Sequence, residues 1–295
     1  MKISTFTALI TAFRDDESID YATVAEQARR QIAAGNDLFV CGTNGDFSSL
    51  SFAERVSVVQ ACSEVRASRT RIIANAGCPS TYETALLGKQ FARLGVEAVA
   101  VITPYFISCT QEGLYRHYAR IADSLEVPVY IYEIPARTGN SIDIDTVRRL
   151  AKHGNVKGIK DSTGKAERLD VLATIVKANS SFELYVGTDS LILHGLRAGA
   201  SGCVSGLANV VPAWIRAIAD AFALGDNTAA DSAQSKVNEL RNILYESGYP
   251  PAMVKRTLYL MDKAVGNNRL PSLVLDDGID AMLRAAIVKF GLRCG

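Results

Sequence analysis

Four kinds of side chain in this sequence have the type and spacing for carbonyl chemistry: an amine at the end of an apolar run, a phenol, a hydroxyl between glycines, and a guanidinium. The amine is Lys160 in Val156-Lys157-Gly158-Ile159-Lys160-Asp161-Ser162-Thr163-Gly164-Lys165. This stretch reads as a short buried strand with a turn after it, from Asp161 to Gly164. Side chains alternate along a strand, so Lys160 shares a face with Val156 and Gly158, and Lys157 points away with Ile159. Desolvation lowers the pKa of an amine, and a neutral amine attacks a ketone to give an imine. The competing reading is a lysine that snorkels from the strand end to water.

The other groups lie after further apolar runs. In Gly42-Thr43-Asn44-Gly45-Asp46 the glycines free the backbone to turn its N–H groups inward, and the Thr43 hydroxyl adds a donor, a set that suits a carboxylate. A tight turn with no ligand needs the same glycines. Tyr105 and Phe106, after Thr103-Pro104, would wall a pocket or a subunit contact. In Tyr130-Ile131-Tyr132-Glu133-Ile134-Pro135-Ala136-Arg137-Thr138-Gly139, Tyr132 offers a phenol for proton transfer and Arg137 a fork for a second carboxylate. A buried tyrosine and a surface arginine are the alternatives.

Other chemistries fit poorly. Gly158 to Ala166 superficially resembles a phosphate-binding loop, but it has five residues between its glycines instead of four, and Ala166 stands where Ser or Thr should hold magnesium. His117, His153 and His194 fall far apart on expected helices, and no His, Cys and carboxylate cluster has metal-ligand spacing, so no metal is expected. Six cysteines, at 41, 62, 78, 109, 203 and 294, lack C-x-x-C spacing and read as reduced, mostly buried thiols.

The elements that must position these groups alternate. Apolar runs at 5–10, 37–41, 71–75, 98–103, 127–133, 156–160, 182–187 and 202–205 read as strands, with helical patterns near 20–34, 51–67, 80–94, 111–124, 143–153, 165–178, 188–198 and 209–224 between them. Continuous apolar strands imply a sheet buried on both faces. Eight strand–helix units give an α/β fold, a (β/α)8 TIM barrel over residues 1–224, whose site lies at the C-terminal ends of the strands. Ser51 and Glu54 form a capping box, which leaves Gly42 to Leu50 as the loop after the second strand. Helical patterns near 226–246, 250–263 and 276–290 make residues 225–295 a helical C-terminal extension packed on the barrel. A doubly wound dinucleotide fold is the rival, and the missing G-x-G-x-x-G counts against it.

With 48% hydrophobic and 21% charged residues and a formal net charge of +1, the composition is that of a globular protein, without the basic excess that nucleic acid or an anionic membrane demands. Met1 to Ile10 has no signal-peptide pattern and no apolar run approaches a membrane span, so a cytoplasmic location is expected.

Gly42-Thr43-Asn44-Gly45-Asp46, Tyr132-x-x-Pro135-x-Arg137-Thr138-Gly139 and Gly158-Ile159-Lys160-Asp161-Ser162-Thr163-Gly164 resemble, in this order and spacing, the dihydrodipicolinate synthase and N-acetylneuraminate lyase family. Gly202 to Val210, Pro251-x-x-x-Lys255 and Arg269-Leu270-Pro271 extend the likeness nearly end to end. The resemblance implies an imine between Lys160 and pyruvate or another 2-oxo acid, with Tyr132 relaying protons. It also implies that Thr43, Asn44 and Gly45 hold the carboxylate and that the Val204 carbonyl lines the pocket. No cofactor is implied beyond the covalent imine, and the assembly implied is a homotetramer built as a dimer of dimers.

The chain departs from the family pattern at Phe106, where the synthases carry a tyrosine donated across a subunit interface; phenylalanine cannot pass a proton. Asn44 replaces a second threonine, and Glu133 replaces the more common asparagine, either to bind a hydroxylated substrate or to cap a turn. Arg137, which grips the aldehyde's carboxylate in synthases, is kept. The expectation is aldol cleavage or dehydration of a hydroxylated or deoxy-sugar-type 2-oxo acid. The alternatives are 4-hydroxy-tetrahydrodipicolinate synthase and a barrel that binds 2-oxo acids without turnover.

Overall fold

Eight short apolar segments pair side by side in the computed structural model of the chain, which describes residues 3–246, 248–272 and 276–292. They are β1 (Ser4–Ala8), β2 (Asp37–Val40), β3 (Ile72–Asn75), β4 (Ala98–Ile102), β5 (Val129–Glu133), β6 (Val156–Asp161), β7 (Glu183–Val186) and β8 (Gly202–Ser205), closed into a barrel in that order. β1 pairs β2 in parallel, and so do successive strands from β3 to β8. Parallel neighbours need crossovers, and the helices supply them.

The helices are α1 (Tyr21–Ala33), α2 (Phe52–Glu64), α3 (Thr81–Arg93), α4 (Gln111–Asp123), α5 (Pro135–Thr138), α6 (Ile144–Leu150), α7 (Ala166–Ala178), α8 (Ile192–Ala198), α9 (Pro212–Ala223), α10 (Asn227–Glu246), α11 (Pro250–Leu260) and α12 (Asp277–Phe290). The architecture is the expected (β/α)8 barrel with a helical C-terminal extension. Two differences touch the loops that matter. β6 runs one residue past Lys160, because Asp161 pairs with Glu133. The one-turn α5 was not expected, since four residues carry no readable period.

By packing, the chain divides into two compact units, one of residues up to Thr5 with Arg71–Val204 and one of Phe6–Thr70 with Ser205 onward. In the first, Val99, Val101, Ile131, Ile159, Leu184 and Val186 are fully buried on the sheet, against Leu87 and Phe91 of α3, Leu114 and Ile121 of α4 and Leu172 of α7. Each such side chain contributes about 1.5–3 kcal/mol by leaving water. The apolar stripe of α4 includes Tyr118, whose hydroxyl stays satisfied by donating to the Val101 carbonyl at 3.0 Å. Tyr130 and Tyr185 donate to one Glu183 oxygen, at 2.5 and 2.9 Å.

In the second unit, Asp20 caps α1 through the Thr23 N–H, and Ser51 and Glu54 form the expected capping box on α2. Arg256 of α11 grips Asp280 of α12, and Arg269 bonds Glu54, the Ser49 carbonyl and the Glu17 carbonyl, joining three segments distant in sequence. Cys41, Cys62, Cys78 and Cys203 are buried and Cys109 is half-buried; Cys294 lies outside the described residues. Among the described residues no helix is long and apolar enough to cross a membrane.

Candidate active site

In the first unit, Tyr132 and Lys160 are register partners on β5 and β6, as are Glu133 and Asp161 after them. The pleat therefore turns the first pair to one face of the sheet and the second pair to the other. Lys160 is 5% exposed and Tyr132 1%. The Lys160 Nζ stands 3.9 Å from the centre of the Tyr132 ring. Burial lowers the Lys160 ammonium from its ordinary 10.5 to about 7, against the pull of the Asp189 carboxylate, which favours the charged form. Roughly half of these amines are then neutral at pH 7. Lys157 is half-buried and Lys165 exposed, so neither shares this setting.

Space for the Lys160 stem comes from Gly187, just past β7. A Cβ there would lie 2.0 Å from Ser162 Oγ, 2.8 Å from the Asp161 carbonyl and 3.0 Å from Lys160 Cε. The amide of Gly187 donates to that same carbonyl at 2.7 Å, which fixes the approach.

Glu133 is fully buried, and both its oxygens are engaged on the face away from Tyr132. Oε1 accepts from the Ile142 N–H at 2.9 Å and from Ser141 Oγ at 3.2 Å, and Oε2 pairs with Arg168. Desolvation raises its pKa, while Arg168 pulls it down. These bonds hold the segment after α5.

Arg137 is exposed on α5, which Gly139 ends in the left-handed conformation at φ +73°, a role for which a side chain would be strained. Asn140 then donates to the Pro104 and Ile107 carbonyls, both at 2.8 Å, and accepts from the Cys109 N–H at 2.8 Å. This ties down the loop that carries Tyr105, half-buried, and Phe106. Phe106 is 98% exposed with φ +75°, a conformation that bulky residues rarely adopt. Val204 is buried in β8.

In the second unit, the turn after β2 is shaped differently from the sequence expectation. Its left-handed residues are Cys41 and Asp46, at φ +55° and +53°, not its glycines. Gly45 serves by its size, since a Cβ would lie 2.9 Å from the Leu9 carbonyl. The Gly45 and Asp46 amides bond the Gly42 and Thr43 carbonyls within the turn. Asn44 Oδ1 is buried without a hydrogen-bond partner, and a Cβ at Gly206 would lie 2.8 Å from Asn44 Nδ2 and 3.0 Å from the Tyr245 hydroxyl. Asp46 anchors the turn: Lys255 Nζ bonds its Oδ2 at 2.6 Å and Asn268 Nδ2 its Oδ1 at 2.7 Å. Burial lowers the pKa of Lys255, and Asp46 opposes that shift.

Sequence reasoning missed Asp189, Gly187, Arg168, Asn268 and Tyr245, all brought in by tertiary contact. Lys255 was noted only as part of a motif.

A sequence profile of the dihydrodipicolinate synthetase family matches residues 2–289. The chain belongs to that family. A DapA-like lyase of Halobacterium salinarum, itself uncharacterized, is 36% identical over 96% of this chain and 92% of its own length. The 4-hydroxy-tetrahydrodipicolinate synthase of a Hydrogenobaculum species is 35% identical over 99% of this chain and 100% of its own. Among solved structures, the pyruvate complex of the chloride-inhibited dihydrodipicolinate synthase from Acinetobacter baumannii superposes with a TM-score of 0.93 at 32% identity, covering 99% of this chain and 100% of that one. The Thermotoga maritima enzyme gives 0.94 at 30% identity, covering 99% of each chain. The family consists of class I pyruvate aldolases, metal-independent lyase-type enzymes that work through a Schiff base, and the chain is an enzyme of this class.

Proposed function

We propose that Lys160 forms the Schiff base with pyruvate or a related 2-oxo acid and that the physiological reaction is aldol cleavage or dehydration of a hydroxylated or deoxy-sugar-type 2-oxo acid. The observation that carries the reading is the Lys160 amine itself, buried, shifted to about 7 and stacked on the Tyr132 ring. Its neutral form adds to the ketone carbon. Tyr132 passes the proton with which the oxygen leaves as water, and a protonated imine remains. In cleavage the bond between the third and fourth substrate carbons breaks. Its electron pair moves into the imine to give an enamine, the hydroxyl on the fourth carbon gives its proton to the Tyr132 oxygen, and the aldehyde departs. Protonation of the enamine and hydrolysis of the imine return the lysine.

Thr43 and Asn44 take the carboxylate in this reading, with Gly45 giving the turn its room and the Val204 carbonyl lining the pocket. Phe106 supports cleavage over condensation, because a phenyl ring passes no proton. Arg137 supports a second reading, in which pyruvate condenses with aspartate semialdehyde as in a 4-hydroxy-tetrahydrodipicolinate synthase, the name carried by the Hydrogenobaculum relative. A non-catalytic 2-oxo-acid binder would need neither Lys160 nor Tyr132 in this arrangement. The reading includes a cytoplasmic homotetramer, which light scattering tests; one relative of known structure is a monomeric variant.

The deciding experiment is a panel of 2-oxo sugar acids run beside pyruvate plus aspartate semialdehyde. The proposal expects turnover of at least one sugar acid to exceed the condensation rate. Condensation well above every cleavage reaction would replace it with the synthase.

A further inference from the structure

We propose that Arg168 and Glu133 form a clamp that positions Arg137 to receive a carboxylate on the partner substrate, an inference that rests on the imine at Lys160 and on the condensation reading that Arg137 supports. Arg137 sits on one helical turn, too short to hold its own conformation. The segment enters from β5, so its far side must be held as well. Arg168 Nη2 donates to the Ile142 carbonyl at 2.7 Å, and Glu133 Oε1 accepts from the Ile142 N–H at 2.9 Å, so both backbone groups of Ile142 are fixed.

The clamp is anchored next to the reacting groups. Arg168 pairs with Glu133 Oε2 and donates through Nε to Asp161 Oδ2 at 3.0 Å. Glu133 follows Tyr132, and Asp161 follows Lys160. Asp161 Oδ1 is itself held by the Thr163 N–H at 3.1 Å and its hydroxyl at 2.7 Å. Two neighbouring buried carboxylates repel without the guanidinium between them. Apolar packing would stabilise the fold more simply than this charged triad does, and what the triad adds is a fixed geometry. The ends of β5 and β6 are thus joined through one guanidinium to Ile142, where the segment that presents Arg137 ends.

The test uses full-length Arg168→Gln and Glu133→Gln proteins. Hydrogen exchange at residues 139–143 should accelerate by about tenfold or more. KM for aspartate semialdehyde should rise about tenfold with kcat within about threefold. The rate of borohydride trapping with pyruvate alone should stay at the wild-type value, and Arg168→Lys, which keeps the charge without the guanidinium fork, should fall between wild type and Arg168→Gln. Unchanged exchange protection would overturn the clamp, and so would a trapping rate that falls in step with the KM change, since that is general damage. Wild-type protein that traps no pyruvate would instead overturn the imine reading, and wild-type protein that traps pyruvate without turning over aspartate semialdehyde would overturn the condensation reading; in both cases hydrogen exchange alone judges the clamp.

Discussion

The Nζ of Lys160 lies 3.9 Å from the centre of the Tyr132 ring, with the two residues paired across β5 and β6. An ammonium over an aromatic face gains cation–π attraction, yet burial costs the charged form more, and the amine titrates at about 7. Its neutral fraction therefore rises with pH through 7 and is complete about two units above. The rate of imine trapping with pyruvate, followed by mass, should climb from pH 5.5 to 8 and then level. A rate still climbing tenfold per unit at pH 9 would mean a lysine near its ordinary 10.5.

Gly187 is the residue that most directly makes room for this amine. Substituting alanine inserts a methyl 3.0 Å from Lys160 Cε and 2.0 Å from Ser162 Oγ. Gly187→Ala should slow trapping by about 10²-fold, the usual cost of displacing a reacting group by an ångström. It should also cost about 1–3 kcal/mol of stability as overpacking. Trapping at the wild-type rate would mean that the lysine reaches the ketone by another path.

Lys255 and Asp46 form a buried pair at 2.6 Å. Lys255→Met leaves Asp46 buried without its cation and should destabilise the protein by about 3–5 kcal/mol in urea unfolding. Because Asp46 ends the Gly42–Asp46 turn, for which carboxylate binding is proposed, the same variant should raise KM for pyruvate under that proposal. A fall in stability with KM untouched would separate the pair from the turn's function.

Phe106 offers a gain-of-function test. Phe106→Tyr adds one hydroxyl on a residue that is already 98% exposed, so folding is undisturbed. Condensation of pyruvate with aspartate semialdehyde should increase if only the missing phenol limits it, and initial-rate assays decide this.

The burial of Lys160 at a strand end, with Lys157 turned the other way, was legible in the sequence because side chains alternate along a strand. The turn after β2 was legible as a tight turn but not in its mechanics. Its glycines suggested backbone freedom, whereas the contact that requires Gly45 is with the Leu9 carbonyl, a crossing no local pattern announces. Asp46 meets Lys255 and Asn268 across more than two hundred residues, and Arg168 reaches Glu133 from α7. Such partners become visible only when packing brings them together. Glu133 carried two readings in the sequence, and its bonds to Ile142, Ser141 and Arg168 are ones that no local pattern announces.

The central claim is the covalent bond at Lys160, and the most direct measurement is intact-protein mass after pyruvate and borohydride treatment. The account predicts one reduced pyruvate adduct on the wild-type chain, on the peptide containing Lys160, and none on Lys160→Ala. No adduct on the wild-type chain, or an adduct that survives Lys160→Ala, would contradict it.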